Sequence, residues 1–334
     1  MSGPLVKRIL WHSGLLSLAR LARQRVRGVI LRYHALTPDE RPVSYAAPDI
    51  CLPVGAFRLQ MAFVKRAYTV VGLDEIVAAL AAGGKLPPRA LAITFDDGYA
   101  DNYHLGLPVL RELGLPATVY VATGAIDDGV PFWVGAVRAL ALQATGTALD
   151  MPGREPIPLG PPSERGPAIK ALTRALVPLP APEREALLEA TAARAGVDLR
   201  RLLAGTMLTR TQIRELAAAG WTIGAHTVTH SNVALADPAD AEADIMGSRD
   251  TLAAITGAQV CHFCYPNTGG AHRYFGPEVA TILKRGGFKS ATTSRPGALR
   301  PGADPFLLPR LGVSPRLGPV VELAAALERQ RLAA

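Results

Sequence analysis

Short apolar runs alternate with amphipathic stretches along most of this chain, and no other feature limits its fold as tightly. Residues 28–33 (GVILRY), 68–71, 91–95, 117–122, 221–225, 259–265 and 290–293, with a last run near 306–311, read as strands. Between them, residues 54–66, 74–82, 103–113, 209–219, 239–256 and 277–285 read as helices. Gly83-Gly84, Gly114 and Gly220 stop three of these helices, and Thr209 caps the start of another. Strands that are each followed by a helix cross over and pair in parallel. Seven or eight such units predict an α/β fold, a closed or nearly closed (β/α) barrel rather than an open sheet.

One stretch breaks the rhythm. Residues 131–144 (PFWVGAVRALALQA) read as a helix, residues 151–168 are rich in Pro and Gly, and residues 182–195 form another helix with Glu183, Glu185 and Glu189 facing solvent. This predicts a mostly helical insertion at about 126–208, lying over one mouth of a barrel that spans 29–325. Trp133 in the insertion reads as core, with stacking on a ligand as the alternative.

The chain has 334 residues, 49% apolar, which is enough for a sizeable core. Its net charge of +8 and pI near 9.7 give a basic surface, which either is simply solvated or favours acidic partners. Cys51, Cys261 and Cys264 are too few for a disulfide framework. The Cys261-x-x-Cys264 pair runs into Tyr265-Pro266 rather than opening a helix, so it reads as buried thiols in a strand. Residues 1–28 carry Leu5, Ile9, Leu16 and Ala19 among Arg20, Arg23, Arg25 and Arg27. They predict a basic amphipathic helix, packed on the barrel or lying on an anionic membrane surface. His12-Ser13 and Arg20 interrupt the apolar run, and no small-residue cleavage site precedes the first strand, so the chain reads as cytoplasmic, with a peripheral position at the inner membrane face as an option.

Chemistry concentrates at strand ends. The run LAITF, residues 91–95, leads directly into Asp96 and Asp97, two like charges where burial is costly. At the end of the 221–225 strand, His226 and His230 stand four apart, half of a common metal site. Thr227 occupies the place where a zincin would carry glutamate. In a parallel barrel the C-terminal strand ends share one rim, so both acids and both histidines converge, together with the turn after Cys264-Tyr265-Pro266. One carboxylate then joins His226 and His230 around a divalent cation, and the other accepts a proton from water activated there.

The segments TFDDGYADN, HTVTH, YPNTG and LRYHAL together resemble the polysaccharide deacetylases with a NodB-homology domain, carbohydrate esterase family four, over roughly residues 29–312. The resemblance implies a distorted (β/α) barrel and metal-dependent removal of N- or O-acetyl groups from sugars. It implies that Asp96 is the general base and that Asp97, His226 and His230 bind the metal, usually zinc. Tyr265 and Pro266 match the loop whose main-chain N–H groups help hold the oxyanion, and Thr227 is expected to orient a ligand through its side chain. The implied partner is an acetylated sugar, polymeric or as a lipid- or nucleotide-linked precursor; no nucleic acid is expected.

Two departures stand out. The family's arginine just before the third motif is absent, with Phe263 and Cys264 in its place, and the late histidine that supplies the acid is absent from residues 306–315. His34, at the end of the first strand, is the candidate acid, with a substrate contact or a plain hydrogen-bonded rim histidine as alternatives, in which case Asp96 makes both proton transfers. Arg273 and Arg310 read as contacts to an anionic sugar or as surface charge. The missing residues also leave open a non-catalytic glycan binder, and the site chemistry a metal amidase acting on a small cyclic amide.

Overall fold

The computed structural model describes residues 28–39, 43–83, 86–267, 274–300 and 302–332. The N-terminal helix expected over 1–28 lies outside these residues except for Gly28, and so does Arg273.

The eight predicted strands form one sheet of eight strands: β1 (Val29–Tyr33), β2 (Thr69–Val70), β3 (Ala90–Phe95), β4 (Thr118–Val121), β5 (Thr222–Ala225), β6 (His262–Cys264), β7 (Ser290–Thr292) and β8 (Leu311–Gly312). Their order is β7-β6-β5-β4-β3-β1-β8, with β2 paired to the first half of β3, and every pairing is parallel. Strands buried on both faces read as continuous apolar runs, and all six residues of β3 are buried. Alternation still sorts them: Ile30, Ala92 and Tyr120 fill the barrel with Cys264 and Leu308, while Val29, Leu31, Leu91, Ile93, Phe95 and Val119 belong to the larger core under the helices. Gly224 leaves room for the Tyr120 ring, which an added Cβ would meet at 2.4 Å.

The ring closes through one segment. Ala291 N–H donates to Pro305 O and Thr293 N–H to Leu308 O, while Val313 N–H donates to Arg32 O, so the segment 305–313 passes from bonding β7 to bonding β1. The run expected near 306–311 is therefore split. Its first part bridges to β7 at Thr292–Leu308, and its second is β8 on β1.

Helices α1 (Val54–Ala67), α2 (Leu73–Ala81) and α3 (Leu107–Leu113) follow the predicted order, as do α8 (Arg210–Ala218), α9 (Pro238–Thr256) and α10 (Pro277–Arg285), with α11 (Val320–Leu332) at the end. The helix expected over 103–113 begins instead as a π turn at Asn102–Gly106. Pro108 has no N–H to bond His104 O, and Leu107 N–H reaches back to Asn102 O. Between β4 and β5 stand α4 (Trp133–Gln143), α5 (Gly166–Leu176), α6 (Ala181–Arg194) and α7 (Leu199–Leu203), with a two-stranded ribbon of Ala148–Leu149 and Ile157–Pro158. They pack round an apolar core of their own that includes Leu140, Leu172 and Leu188.

Phe95 is fully buried, stacked on Trp221 at 5.3 Å and edge-on to Phe57 at 5.7 Å. Phe95→Ala should lower the unfolding free energy by about 3–5 kcal/mol in urea titration. Leu59→Ser, at a position 64% exposed, should change it by less than about 0.5 kcal/mol. Equal effects would contradict this placement of the core.

Candidate active site

Strand parity carries Asp96 inward. Ala92 faces the barrel interior, Thr94 has the same parity, and the Asp96 N–H still bonds Tyr33 O at 3.0 Å, so the carboxylate enters the barrel at its C-terminal rim, 3% exposed. Arg310 meets it there. Nη1 and Nη2 donate to the two Asp96 oxygens at 2.6 and 2.8 Å. The remaining donors go to Thr94 Oγ1 (3.1 Å), Thr293 O (2.9 Å) and Cys264 Sγ (3.0 Å), which uses all five guanidinium N–H groups. Burial alone would raise the Asp96 carboxyl, but the Arg310 charge and its bonds more than offset this and hold the pKa at about 2. Arg310 is thus neither a surface charge nor a contact for an anionic sugar. It sits just before β8, where the segment after β7 closes the ring. The sequence signal was a single charge inside the apolar run FLLPRLGV.

Asp97 turns the other way. Its φ of 74° and the 86° of Gly98 reverse the chain, and a Cβ at Gly98 would meet Val121 Cγ1 at 3.0 Å. Asp97 Oδ1 lies 3.3 Å from His226 Nε2 and 3.3 Å from His230 Nε2, all three side chains buried. His226 Nδ1 is 2.7 Å from Cys264 O, and since a carbonyl only accepts, Nδ1 carries the proton. That leaves Nε2 to face Asp97 as a second protonated nitrogen or as a lone pair. Burial works against the Asp97 charge, yet the two imidazoles hold its carboxyl well below the usual carboxylate range. One carboxylate oxygen and two imidazole nitrogens, mutually within 4.8 Å, form a donor set suited to zinc. Asp96, His226 and Cys264 make a second such group, but there the Arg310 guanidinium already touches both Asp96 and Cys264.

Thr227 and His230 also have left-handed backbones, with φ of 65° and 52°. With Asp97 this makes three non-glycine residues in that region, each costing on the order of 1–3 kcal/mol, gathered round one point.

The other expected residues fare differently. The register Tyr33↔Phe95 sets His34 level with Asp96, and its Nε2 lies 3.8 Å from Asp96 Oδ2. Burial pushes the His34 imidazole down to about 4 despite both aspartates nearby, so it is neutral at pH 7. Tyr265 and Pro266 do not offer the expected oxyanion donors. The Tyr265 N–H bonds Thr292 O at 3.2 Å, its hydroxyl bonds Phe306 O, and proline has no N–H. The Thr227 hydroxyl is buried without a hydrogen-bond partner among the described residues, and its carbonyl accepts from Thr123 N–H at 3.1 Å. Trp133 is core, 3% exposed, but its Nε1 also donates to His230 O at 3.2 Å. Cys261 and Cys264 are free buried thiols. His262, away from this rim, pairs with Asp74 and Ser290.

A family profile described as polysaccharide deacetylase matches residues 83–290, more than half the chain and all of the Asp96-Asp97 and His226–His230 segments. The chain belongs to the polysaccharide deacetylase family. YxkH of Bacillus subtilis (strain 168), which carries the same family name, is 29% identical over 93 residues, covering 28% of this chain and 30% of that protein. The fold is shared with the Streptococcus pyogenes deacetylase PplD, solved with acetate (TM-score 0.59, 19% identity, 91% of this chain and 98% of that one). It is shared equally with IcaB from Ammonifex degensii (TM-score 0.58, 20% identity, 91% and 98%).

Because the Asp96 carboxyl in this deacetylase fold lies below its ordinary value near 4, its pairing with Arg310 stabilises fully above about pH 4 and is lost as pH falls toward 2. Arg310→Met strands a buried carboxylate and should cost about 3–5 kcal/mol at pH 7 in urea titration. The deficit should shrink on acidification through that window. A variant as stable as the parent at pH 7 would contradict the pairing.

Proposed function

We propose that this chain is a metal-dependent deacetylase that hydrolyses acetyl groups, in the first instance N-acetyl, on a polysaccharide or on a lipid- or nucleotide-linked sugar precursor. The observation that carries this reading is the juxtaposition of an ionised, arginine-paired carboxylate with an N₂O ligand set on the same rim. Asp97, His226 and His230 would hold one divalent cation, zinc by the chemistry of the donors, which when bound polarises a carbonyl and makes water a nucleophile near neutral pH. Asp96 accepts the proton of the attacking water as its oxygen bonds to the acetyl carbon. Arg310 keeps Asp96 ionised and immobile. Breaking the carbon–nitrogen bond requires a proton on the departing nitrogen, and His34 is the neighbour of Asp96 on this rim best placed to pass it on. The products are acetate and the free amine of the sugar. Amine departure depends on such a donor more than alcohol departure does, which favours N-acetyl over O-acetyl.

Acetate release from N-acetylated chito-oligosaccharides tests this reading against a glycan binder and a cyclic-amide hydrolase. Asp96→Asn should lower kcat by about 10²–10⁴-fold. Chelation should abolish turnover, and zinc should restore it. Turnover of cyclic amides but of no acetylated sugar would favour the amidase, and binding of sugar without acetate release would favour the binder.

The basic segment 1–28 supports a further part of the reading, docking to an anionic surface near a lipid-linked substrate. No helix among the described residues is long and apolar enough to cross a membrane. Flotation with phosphatidylserine vesicles should carry the full chain and leave a chain lacking 1–28 behind; equal flotation would refute the role of that segment.

A further inference from the structure

The loop that presents His226 and His230 is held by its carbonyls. Thr227 O accepts from Thr123 N–H and Val228 O from Gly124 N–H, at 3.1 and 2.8 Å, both from the turn after β4. Thr229 O accepts from Arg184 Nη2 at 3.0 Å, and His230 O from Trp133 Nε1 at 3.2 Å. The first two clamps belong to the barrel, but Arg184 and Trp133 belong to α6 and α4 of the insertion. Asp244 of α9 fixes the same loop from the other side, accepting from Val228 N–H and Thr229 N–H at 2.9 Å each.

The charges of Glu185 and Asp244 act on Arg184, but its hydrogen bonds go to this loop. Arg184 is 1% exposed, and among the described residues no carboxylate lies within ion-pair distance of it. A buried cation is costly unless its hydrogen bonds are made. Those of Arg184 go to Thr229 O and Ser231 Oγ (3.1 Å), its Nε is unpartnered, and its guanidinium lies 4.8 Å over the Trp133 ring. Phe132, just before Trp133, sets its ring edge-on to His230 at 5.0 Å. Three insertion side chains thus surround a residue whose backbone is left-handed at φ 52°.

We infer that Trp133 and Arg184 are positioning residues for the ion site: the insertion holds the carbonyls of Thr229 and His230 and so keeps the His230 ring against Asp97. The insertion is then a working part of the centre rather than only a cover over one mouth of the barrel. This rests on the reading of Asp97, His226 and His230 as ion ligands, so the test separates the two.

Zinc affinity is measured on the full chain by competition with a chromophoric chelator, and the visible spectrum is recorded with cobalt in place of zinc. Trp133→Phe removes one donor and keeps a ring under Arg184; Arg184→Met removes the other. Loss of a group that orients a metal ligand costs about 10- to 100-fold in affinity, and each variant should weaken zinc by that factor and shift the cobalt bands. Leu172→Ala, in the insertion core but away from the loop, should lower thermal stability and leave zinc affinity and spectrum as in the parent. A parent chain that binds neither ion overturns the ligand reading itself. A parent that binds zinc while both clamp variants bind it equally well overturns the clamp. So does a Leu172→Ala variant that weakens zinc as much as they do. Should Arg184→Met fail to fold, Trp133→Phe decides alone.

Discussion

Two adjacent carboxylates at the buried end of one strand cannot both stay charged without help, and the barrel is arranged around two separate answers. Asp96 points inward and is neutralised by a guanidinium fixed within the protein. Asp97, turned away by a left-handed backbone, faces two imidazoles. The difference between a permanent internal cation and an exchangeable one separates the proposed base from the proposed ligand. It also explains why the group of Asp96, His226 and Cys264 is a poor second ion site: Arg310 supplies the positive charge there.

The same constraint reaches the architecture. Arg310 lies between the segment bridging to β7 and the strand β8 on β1, so the residue that neutralises Asp96 sits on the seam that closes the ring. Thr94, Thr293 and Cys264 donate nothing to chemistry directly, yet each accepts a bond that aims the guanidinium. Closing the sheet and pairing the buried charge of Asp96 are one packing problem. On the other side of the rim, the strained His230 is braced by side chains from an insertion with a core of its own.

Much of this was legible in the sequence because it follows from period and parity. The runs that became β1, β3, β4, β5, β6 and β7 show their burial as apolar composition, and strand-end position placed Asp96, Asp97, His34 and His226 on one rim. What escaped depends on contacts distant in sequence. Arg310 lies 214 residues from Asp96, and nothing in FLLPRLGV says which carboxylate its charge meets. Trp133 was legible as core but not as a donor to His230, 97 residues away. The expected donors of Tyr265 and Pro266 failed for a local reason: parallel pairing runs one residue past β6 and takes the Tyr265 N–H. Thr227 shows the same limit, since the sequence displays its hydroxyl but neither its left-handed backbone nor the bond its carbonyl accepts.

Anomalous diffraction at the zinc edge, on crystals grown with one equivalent of zinc, distinguishes the two carboxylates. A single strong peak is expected, bounded by Asp97 Oδ1, His226 Nε2 and His230 Nε2, with Arg310 still paired to Asp96. A peak between Asp96 and Cys264, or none at the His226–His230 loop, would contradict this ligand set.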